Sequence, residues 1–544
     1  MSQTTKTFSI FLSCSGLHHP KIGKMDSFLV LYDSEEKELG RTKFVRNELS
    51  PTYETQFVLP LESENKFYTL KHYNMRIIKE KVNNCDLNIH TYIGETTFTV
   101  SDLFDEKTNK NHRLKLKISG KKENKDYGWV HVVGMIMKDP TEFLCLKMNG
   151  LNLDNKETFG KTDAFCVVRR QFKGGNEWYP IAKTEIVYSD LNPEFRTLFI
   201  PTYKFCQDDE NAPIKIQCYN RNKIKNPNFI GECITSYSKL NNLTRSILEL
   251  IDPKKENRNK YRNSGLLEIE NMKITKLPTF PQLLENGLKM NIIAAIDFSK
   301  KNGSYKGKIF GSSLHDKREK KNKYRNAIKH SLEEFTPILN GNPVSGYGFG
   351  GRWESQNTYF GLSDGTLDQP TFDSTDDLVD AYEKILAKKP VKPTRKNKIV
   401  SLLTHLIDSK VRPTKNESVF HVIVVYLKNK LCDKKAIRRL LTETSHLPFC
   451  VVFVPLGKRI VIIYVNNQRV ILNKFSEIED LCGWDLHHFH LVDGIKLMKD
   501  QKYSLREMTD LIPFNEYKDN ELAARYVFES IPPKVCDYVY RFLN

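Results

Sequence analysis

The chain has 544 residues, 39% of them hydrophobic and 28% charged, with 84 Lys plus Arg against 66 Asp plus Glu and a formal charge of +18. At roughly 150 residues per domain this suits about three or four domains, and the apolar content excludes a wholly disordered chain. The basic surplus favours anionic partners (membrane surfaces, nucleic acid or acidic proteins) without choosing among them.

At the N-terminus the apolar patch Phe8–Leu12 is too short for a secretory h-region, and Ser2 gives no myristoylation signal. The longest apolar runs, Val422–Leu427, Cys450–Leu456 and Ile460–Val465, fall far short of the roughly 18 residues of a membrane helix. The closing Arg-Phe-Leu-Asn carries no prenylation signal, and the 11 cysteines are odd in number with no Cys-x-x-Cys pair. That usage fits reduced thiols, so the expectation is a soluble, cytoplasmic, multidomain protein.

Strand-like stretches open the chain at Phe8–Ser13, Ser27–Tyr32, Gln56–Leu59 and Thr96–Val100. They resume at Phe143–Met148, Ala164–Arg169, Thr184–Val187, Leu198–Pro201 and Ile214–Tyr219, separated by Gly, Pro, Asn and Asp turns. Many short strands at such spacing predict β-sandwiches. An internal repeat supports two copies. Gly23-Lys24-Met25-Asp26-Ser27-Phe28 matches Gly160-Lys161-Thr162-Asp163-Ala164-Phe165. Leu49-Ser50-Pro51-Thr52-Tyr53 matches Leu191-Asn192-Pro193-Glu194-Phe195, and Tyr92-Ile93-Gly94-Glu95 matches Phe229-Ile230-Gly231-Glu232.

Asp252 to Ser264 is charged and Asn-rich and reads as a solvated linker. The texture then changes: the apolar run Met290–Ile296 ends at Asp297, and helix-like stretches follow near Tyr324–Phe335, Asp376–Ala387 and Lys434–Thr444. Buried-strand runs at Val419–Leu427 and Cys450–Val454 alternate with them, which predicts an α/β domain with a mainly parallel sheet. The amphipathic stretch Glu521–Leu543 closes the chain.

These features resemble the copine family. The C-terminal half carries the specific motifs in order: Ala295-Ile296-Asp297-Phe298-Ser299, Ser313-Leu314-His315, Gly346-Tyr347-Gly348-Phe349-Gly350, Pro393-Thr394, Ser445-His446-Leu447-Pro448 and Ile512-Pro513-Phe514. The resemblance implies two all-β C2 sandwiches followed by an α/β von Willebrand A-like domain of Rossmann type. Its expected boundaries are 1–128 and 129–250 for the C2 domains, 251–288 for a linker and 289–544 for the A-like domain. It also implies Ca²⁺-dependent docking on anionic phospholipid and recruitment of protein partners through the A-like domain.

Ca²⁺ needs 6–8 oxygens with several carboxylates among them. The matching positions here are Asp26 in the first domain and Glu157, Asp163, Asn220, Asn222 and Asn228 in the second, with Asn where the family pattern has Asp. Lys81 stands where an acid is expected in the first domain, whose third loop is expected near Lys79-Glu80-Lys81. The family implies Ca²⁺; these substitutions predict that tight binding is lost. Lysines can supply the positive potential directly, at roughly 1 kcal/mol each near an anionic surface. The membrane-contact candidates are Lys24, Met25, Phe159, Lys223, Ile224 and Lys225, which read equally well as solvated loop charges and buried anchors.

In the A-like domain the family's metal positions match Asp297, Ser299 and Thr394, but Lys301 replaces a serine and Lys428 stands where an Asp is expected. An ammonium repels a divalent cation, so Mg²⁺ or Mn²⁺ is not expected. Lys428 either pairs with Asp297 in the metal's place or points to solvent. Gly346 to Gly351 reads as a structural turn, because no helix follows it as a dinucleotide site requires. No catalytic nucleophile motif is present, so an enzyme is not expected; nor does any nucleic-acid-binding motif accompany the basic charge. The function these readings favour is a peripheral membrane adaptor at the plasma membrane or endosomes. The other reading is a protein-interaction scaffold whose C2 domains bind neither lipid nor calcium.

Overall fold

The computed structural model describes residues 6–17, 25–61, 66–75, 87–105, 111–120, 125–206, 209–222, 227–241, 246–303, 313–316, 318–354, 357–367, 370–388, 390–415, 417–428, 430–457, 460–465, 468–473, 484–485, 490–491, 504–517 and 519–543. The chain divides into two compact units, one mainly from residues 1–77 and 87–277, the other mainly from 278–485 and 491–544.

The first unit holds two sandwiches. In the first, β1 (Thr7–Ser15), β4 (Phe57–Pro60), β7 (Arg113–Lys117) and β9 (Trp129–Ile136) form one sheet in the order β4-β1-β9-β7. The facing sheet is β3 (Glu38–Arg41), β2 (Ser27–Tyr32), β5 (Phe67–Asn74), β6 (Thr91–Thr99) and the short β8 (Ser119–Gly120). Phe8, Ile10 and Leu12 of β1 alternate inward to meet Leu29, Leu31, Tyr68 and Leu70 of the other sheet, while the intervening Ser9, Phe11 and Ser13 are buried on the strand's other face.

The second sandwich repeats the plan. Its sheets are β13 (Leu198–Pro201), β10 (Glu142–Leu151), β17 (Leu266–Lys276) and β16 (Ser246–Glu249), facing β12 (Trp178–Lys183), β11 (Ala164–Gln171), β14 (Ile214–Asn220) and β15 (Asn228–Thr235). The repeat extends to bonding detail. Ser27 bridges Val45 as Ala164 bridges Val187. Thr42 Oγ1 accepts from Leu29 N at 2.9 Å as Thr184 Oγ1 accepts from Cys166 N at 2.9 Å. Phe28 stacks on Tyr73 at 5.4 Å as Phe165 stacks on Tyr219 at 5.5 Å.

Two expected boundaries are corrected. Residues 129–136 are the last strand of the first sandwich, not the start of the second: β9 pairs with β1 from Phe8↔Ile136 to Ser15↔Trp129 and buries Val130 and Val132. The turn at Gly128, φ +89°, lies inside that domain. Likewise 251–288 is not a linker. Asp252 to Ser264 is a loop within the second sandwich, closed by Tyr261 OH, which accepts from Asp252 N at 2.7 Å. The chain then re-enters as β17, pairing with β10 along its length and burying Leu267 and Ile269.

The sandwiches meet through β1 and β12. Phe11 packs on Phe172 at 4.7 Å, Ser13 Oγ bonds Tyr179 OH at 2.9 Å, and Arg113 pairs with Glu177.

The second unit is α/β, as the alternation predicted. Its central sheet runs β20 (Tyr359–Gly361), β19 (Val344–Phe349), β18 (Lys289–Asp297), β21 (Val419–Leu427), β22 (Phe449–Pro455), β23 (Thr509–Leu511), parallel except for β20. Helices α1 (Lys323–Glu333), α2 (Thr375–Lys388), α3 (Ile399–Leu406), α4 (Lys434–Glu443), α5 (Asn520–Glu529) and α6 (Pro532–Phe542) cover its faces. β21 and β22 are buried on both sides, hence their unbroken apolar runs. Strand order reverses between β18 and β21, so a switch-point crevice lies at the carboxyl ends Asp297 and Leu427, where open α/β sheets bind ligands.

Lys534 on α6 is 4% exposed and bonds Asp510 Oδ2 of β23 at 3.0 Å. Burial alone would lower its ammonium, but Asp510 and Glu507 hold it above the ordinary range. Lys534→Met leaves Asp510 buried without its cation and is expected to cost about 3–5 kcal/mol. In urea unfolding followed by hydrogen exchange in β22, the double variant Lys534→Met/Asp510→Asn should lose clearly less.

Candidate functional site

In each sandwich the loops at one end converge on an aspartate at the start of a strand. In the second domain Asp163 precedes β11. Its backbone N–H donates to Asn220 Oδ1 at 2.8 Å, and its Oδ1 accepts from Ser189 N at 2.9 Å. In the first, Asp26 N–H donates to Asn74 Oδ1 at 3.1 Å, and its Oδ1 accepts from Asn47 N at 2.9 Å. Ser189 and Asn47 both have positive φ, 56° and 53°, which turns their N–H groups toward the carboxylate.

Asn220 is fully buried at the end of β14. Its Nδ2 donates to Glu157 Oε1 at 2.7 Å, so its amide bonds Asp163 on one side and Glu157 on the other. Asn228, exposed at the start of β15, lies in register opposite Asn220, and Asn222 follows two residues on. The structure therefore links Glu157 and Asp163 through Asn220, with Asn228 opposite Asn220 in the β14–β15 register.

This donor set does not fit Ca²⁺. The amide N–H of Asn220 meets Glu157 where a cation would, and Asp163 already accepts a backbone N–H. Among the described residues there is no cluster of three or more His, Cys, Asp or Glu arranged to hold a metal.

Sequence reasoning missed Asn74. The third loop of the first domain, expected near Lys79-Glu80-Lys81, has as its first bonding residue Asn74 at the end of β5. The repeated dipeptides Tyr73-Asn74 and Tyr219-Asn220 carry the signal. Lys24, Lys81, Lys223, Ile224 and Lys225 lie outside the described residues.

Met25 is corrected: it is fully buried in the first sandwich core and cannot enter a membrane. Phe159 is 93% exposed. It sits on a pinned loop, in which Asn155 Nδ2 donates to Gly160 O at 2.9 Å and Lys156 N to Thr162 Oγ1 at 3.0 Å. Lys161, exposed beside it, is a further cation that sequence reasoning passed over.

In the second unit Asp297 ends β18 fully buried. Its Oδ1 accepts from Ser299 N at 2.8 Å, its Oδ2 lies 3.3 Å from Asn397 Nδ2, and burial pushes its carboxyl above the ordinary range. Gly350, φ +71°, passes so close that a Cβ would come within 2.9 Å of Asp297 Oδ1. His315, pushed down to about 4 by burial, bonds Asp297 O at 2.9 Å and Tyr382 OH at 2.8 Å. Thr394 Oγ1 lies 2.9 Å from Gly350 O and 2.6 Å from Lys396 O, so its hydrogen serves carbonyls. Asp297, Ser299 and Thr394 are thus in adjoining loops.

Neither expected placement of Lys428 holds. It makes no ion pair with Asp297 and is half-buried rather than out in solvent; its Nζ donates to Lys301 O at 2.5 Å. Burial lowers this ammonium while Asp297 pulls the other way. Lys301 turns to Cys432 Sγ at 2.9 Å. Ser299 Oγ and Asn397 Oδ1 are buried without partners, but with one carboxylate and an ammonium beside it the set does not fit Mg²⁺ or Mn²⁺.

A family model described as C2 domain matches residues 9–116 and 145–250, and one described as Copine matches residues 313–461. The chain is 23% identical over 545 residues to nicotinic receptor-associated protein 1 of Caenorhabditis elegans, covering 93% of this chain and 81% of that protein. It is 21% identical over 532 residues to Copine-A of Dictyostelium discoideum, covering 96% and 82%. Among solved structures it is similar to BON1-C2B at 23% identity, over 25% of this chain and 93% of that one, with a TM-score of 0.21. The calcium-bound tandem C2 domains of Extended-Synaptotagmin 2 match at 11% identity, over 50% and 98%, with a TM-score of 0.19.

Asn220→Asp sets a second carboxylate against Glu157 without a cation between them. In EGTA it is expected to cost about 1–3 kcal/mol, read as a lower thermal midpoint that millimolar Ca²⁺ restores. The unsubstituted chain should show no such Ca²⁺ shift.

Proposed function

The chain belongs to the copine family, two C2 domains followed by a copine domain, and from that premise we propose a peripheral adaptor that docks on anionic phospholipid without needing Ca²⁺. One observation carries this reading: Asp26 and Asp163 accept backbone N–H groups, while the amide of Asn220 bonds Glu157. The carboxylates at the described base of these loops are thus bonded by the chain itself, without a cation between them. The cations Lys24, Lys161, Lys223 and Lys225 supply the positive potential that bound Ca²⁺ supplies elsewhere. Phe159 supplies an apolar contact on a fixed tip.

The A-like unit recruits protein partners, and the protein acts as an adaptor rather than an enzyme. No helix among the described residues is long and apolar enough to cross a membrane. Peripheral attachment at the plasma membrane or endosomes, in trafficking or signalling, is the setting this reading implies.

Sedimentation with phosphatidylserine vesicles in EGTA tests it. Binding should persist in EGTA, weaken as salt rises, and fall about tenfold in Phe159→Ala, the loss of burying one phenyl ring. Binding that appears only with micromolar Ca²⁺ would overturn the Ca²⁺-independent reading. Absence of binding in both conditions would favour the scaffold.

A further inference from the structure

Around Asp297 three loops are tied into one surface by hydrogen bonds. Lys300 N donates to Thr394 O at 2.8 Å, Lys428 Nζ to Lys301 O at 2.5 Å, and Asn397 Nδ2 to Lys430 O at 2.7 Å. The short antiparallel pair Gly351↔Pro393 and Arg352↔Lys392 borders them.

What these loops present is overwhelmingly cationic. Lys300, Lys392, Arg395, Lys396, Lys398 and Lys430 are all exposed, with Lys301 and Lys428 half-buried among them. The acids in the same segments are Asp297, which is buried, and Asp433, whose Oδ2 accepts from Val400 N at 2.9 Å. Lys300, Lys392, Arg395, Lys396 and Lys398 stand in no ion pair among the described residues. Ser299, beside Asp297, is 1% exposed.

We propose that this lysine-rimmed carboxyl end of the A-like sheet binds an acidic segment of a protein partner directly, through its ammonium groups and without a divalent cation. This rests on the reading that the A-like unit recruits proteins, and it names the chemistry recruited. The position is the switch-point crevice at which open α/β sheets bind ligands. A divalent ion would bridge a partner carboxylate to the protein's own acids; here fixed cations meet the carboxylate without a bridge.

A protein segment fits better than a bilayer. Among the described residues, none of the exposed large hydrophobics, such as Phe159, Ile234 and Ile247, lies in these loops, whereas exposed cations do.

The test uses the full chain and a fluorescein-labelled poly-glutamate peptide, read by fluorescence anisotropy in EDTA. The patch variant is Arg395→Glu/Lys396→Glu/Lys398→Glu, all at exposed positions; the control is Lys254→Glu/Arg258→Glu/Lys260→Glu on the second C2 domain, equal in charge change. Peptide affinity is expected to fall at least about tenfold in the patch variant, as for loss of several screened charge contacts, and to stay near that of the unsubstituted chain in the control. Equal loss in both variants, or none in either, overturns the proposal, as does binding that requires added Mg²⁺. Vesicle sedimentation in the same variants separates the two readings. Loss of vesicle binding with peptide binding intact in the patch variant would assign the surface to membrane. Loss of peptide binding with vesicle binding intact supports the proposal whatever the C2 domains do.

Discussion

Carboxylates gathered at one end of a fold repel one another unless something positive or hydrogen-bonding stands between them, and this chain meets that constraint from within. In the two sandwiches the counterpart is an N–H group: Asn47 N on Asp26, Ser189 N on Asp163, and the Asn220 amide on Glu157. In the A-like unit Ser299 N and Asn397 bond Asp297, with the Lys428 ammonium close enough to feel its charge. In all three places the described carboxylates are bonded by N–H groups of the polypeptide itself. A charge-assisted N–H bond is shorter in reach than an ion with several ligands, but it does not dissociate with the cation's concentration.

That difference decides what the sites can do. A loop ordered by Ca²⁺ changes its charge when the ion binds, and so can switch a membrane contact. A loop ordered by its own amides has the same charge at every Ca²⁺ level. The exposed Phe159 sits on a loop held by Asn155 and Lys156 of the chain itself.

Much of the fold was legible because the chemistry of loop closure repeats. The Asp26 and Asp163 segments need the same strand start, the same left-handed residue and the same Asn. The A-like sheet was legible because parallel strands covered on both faces must be apolar throughout, as β21 and β22 are. What escaped depends on pairing across long sequence distances. β9 reads like the opening of a new domain after Gly128, yet it completes the sheet begun by β1 more than a hundred residues earlier. β17 follows a charged loop that reads as a linker, though Leu267 and Ile269 restore the alternation. Asn74 escaped because the charged run at Lys79 stands out more than the Tyr-Asn pair before it, and Met25 because a methionine in a loop motif gives no sign of which way it turns.

The fate of Lys428 shows why the A-like site could not be settled by charge alone. A lysine beside a buried aspartate suggests a salt bridge, but burying both charges carries a desolvation cost that a direct pair does not always offset. Here the carboxylate is satisfied by Ser299 N and Asn397, and its backbone oxygen by Asn302 Nδ2 at 2.6 Å and by His315. The ammonium meets a peptide carbonyl instead and remains half-buried. Asp297 therefore keeps a reason to exist without a metal: it ties the first loop to the Asn397 loop and, through His315 and Tyr382, to α2. With that carboxylate spent inside, Asp433 is the other acid of the described loop segments, held by Val400 N and acted on by Lys398 and Lys301, and the exposed Lys300, Lys392, Arg395 and Lys396 outnumber it.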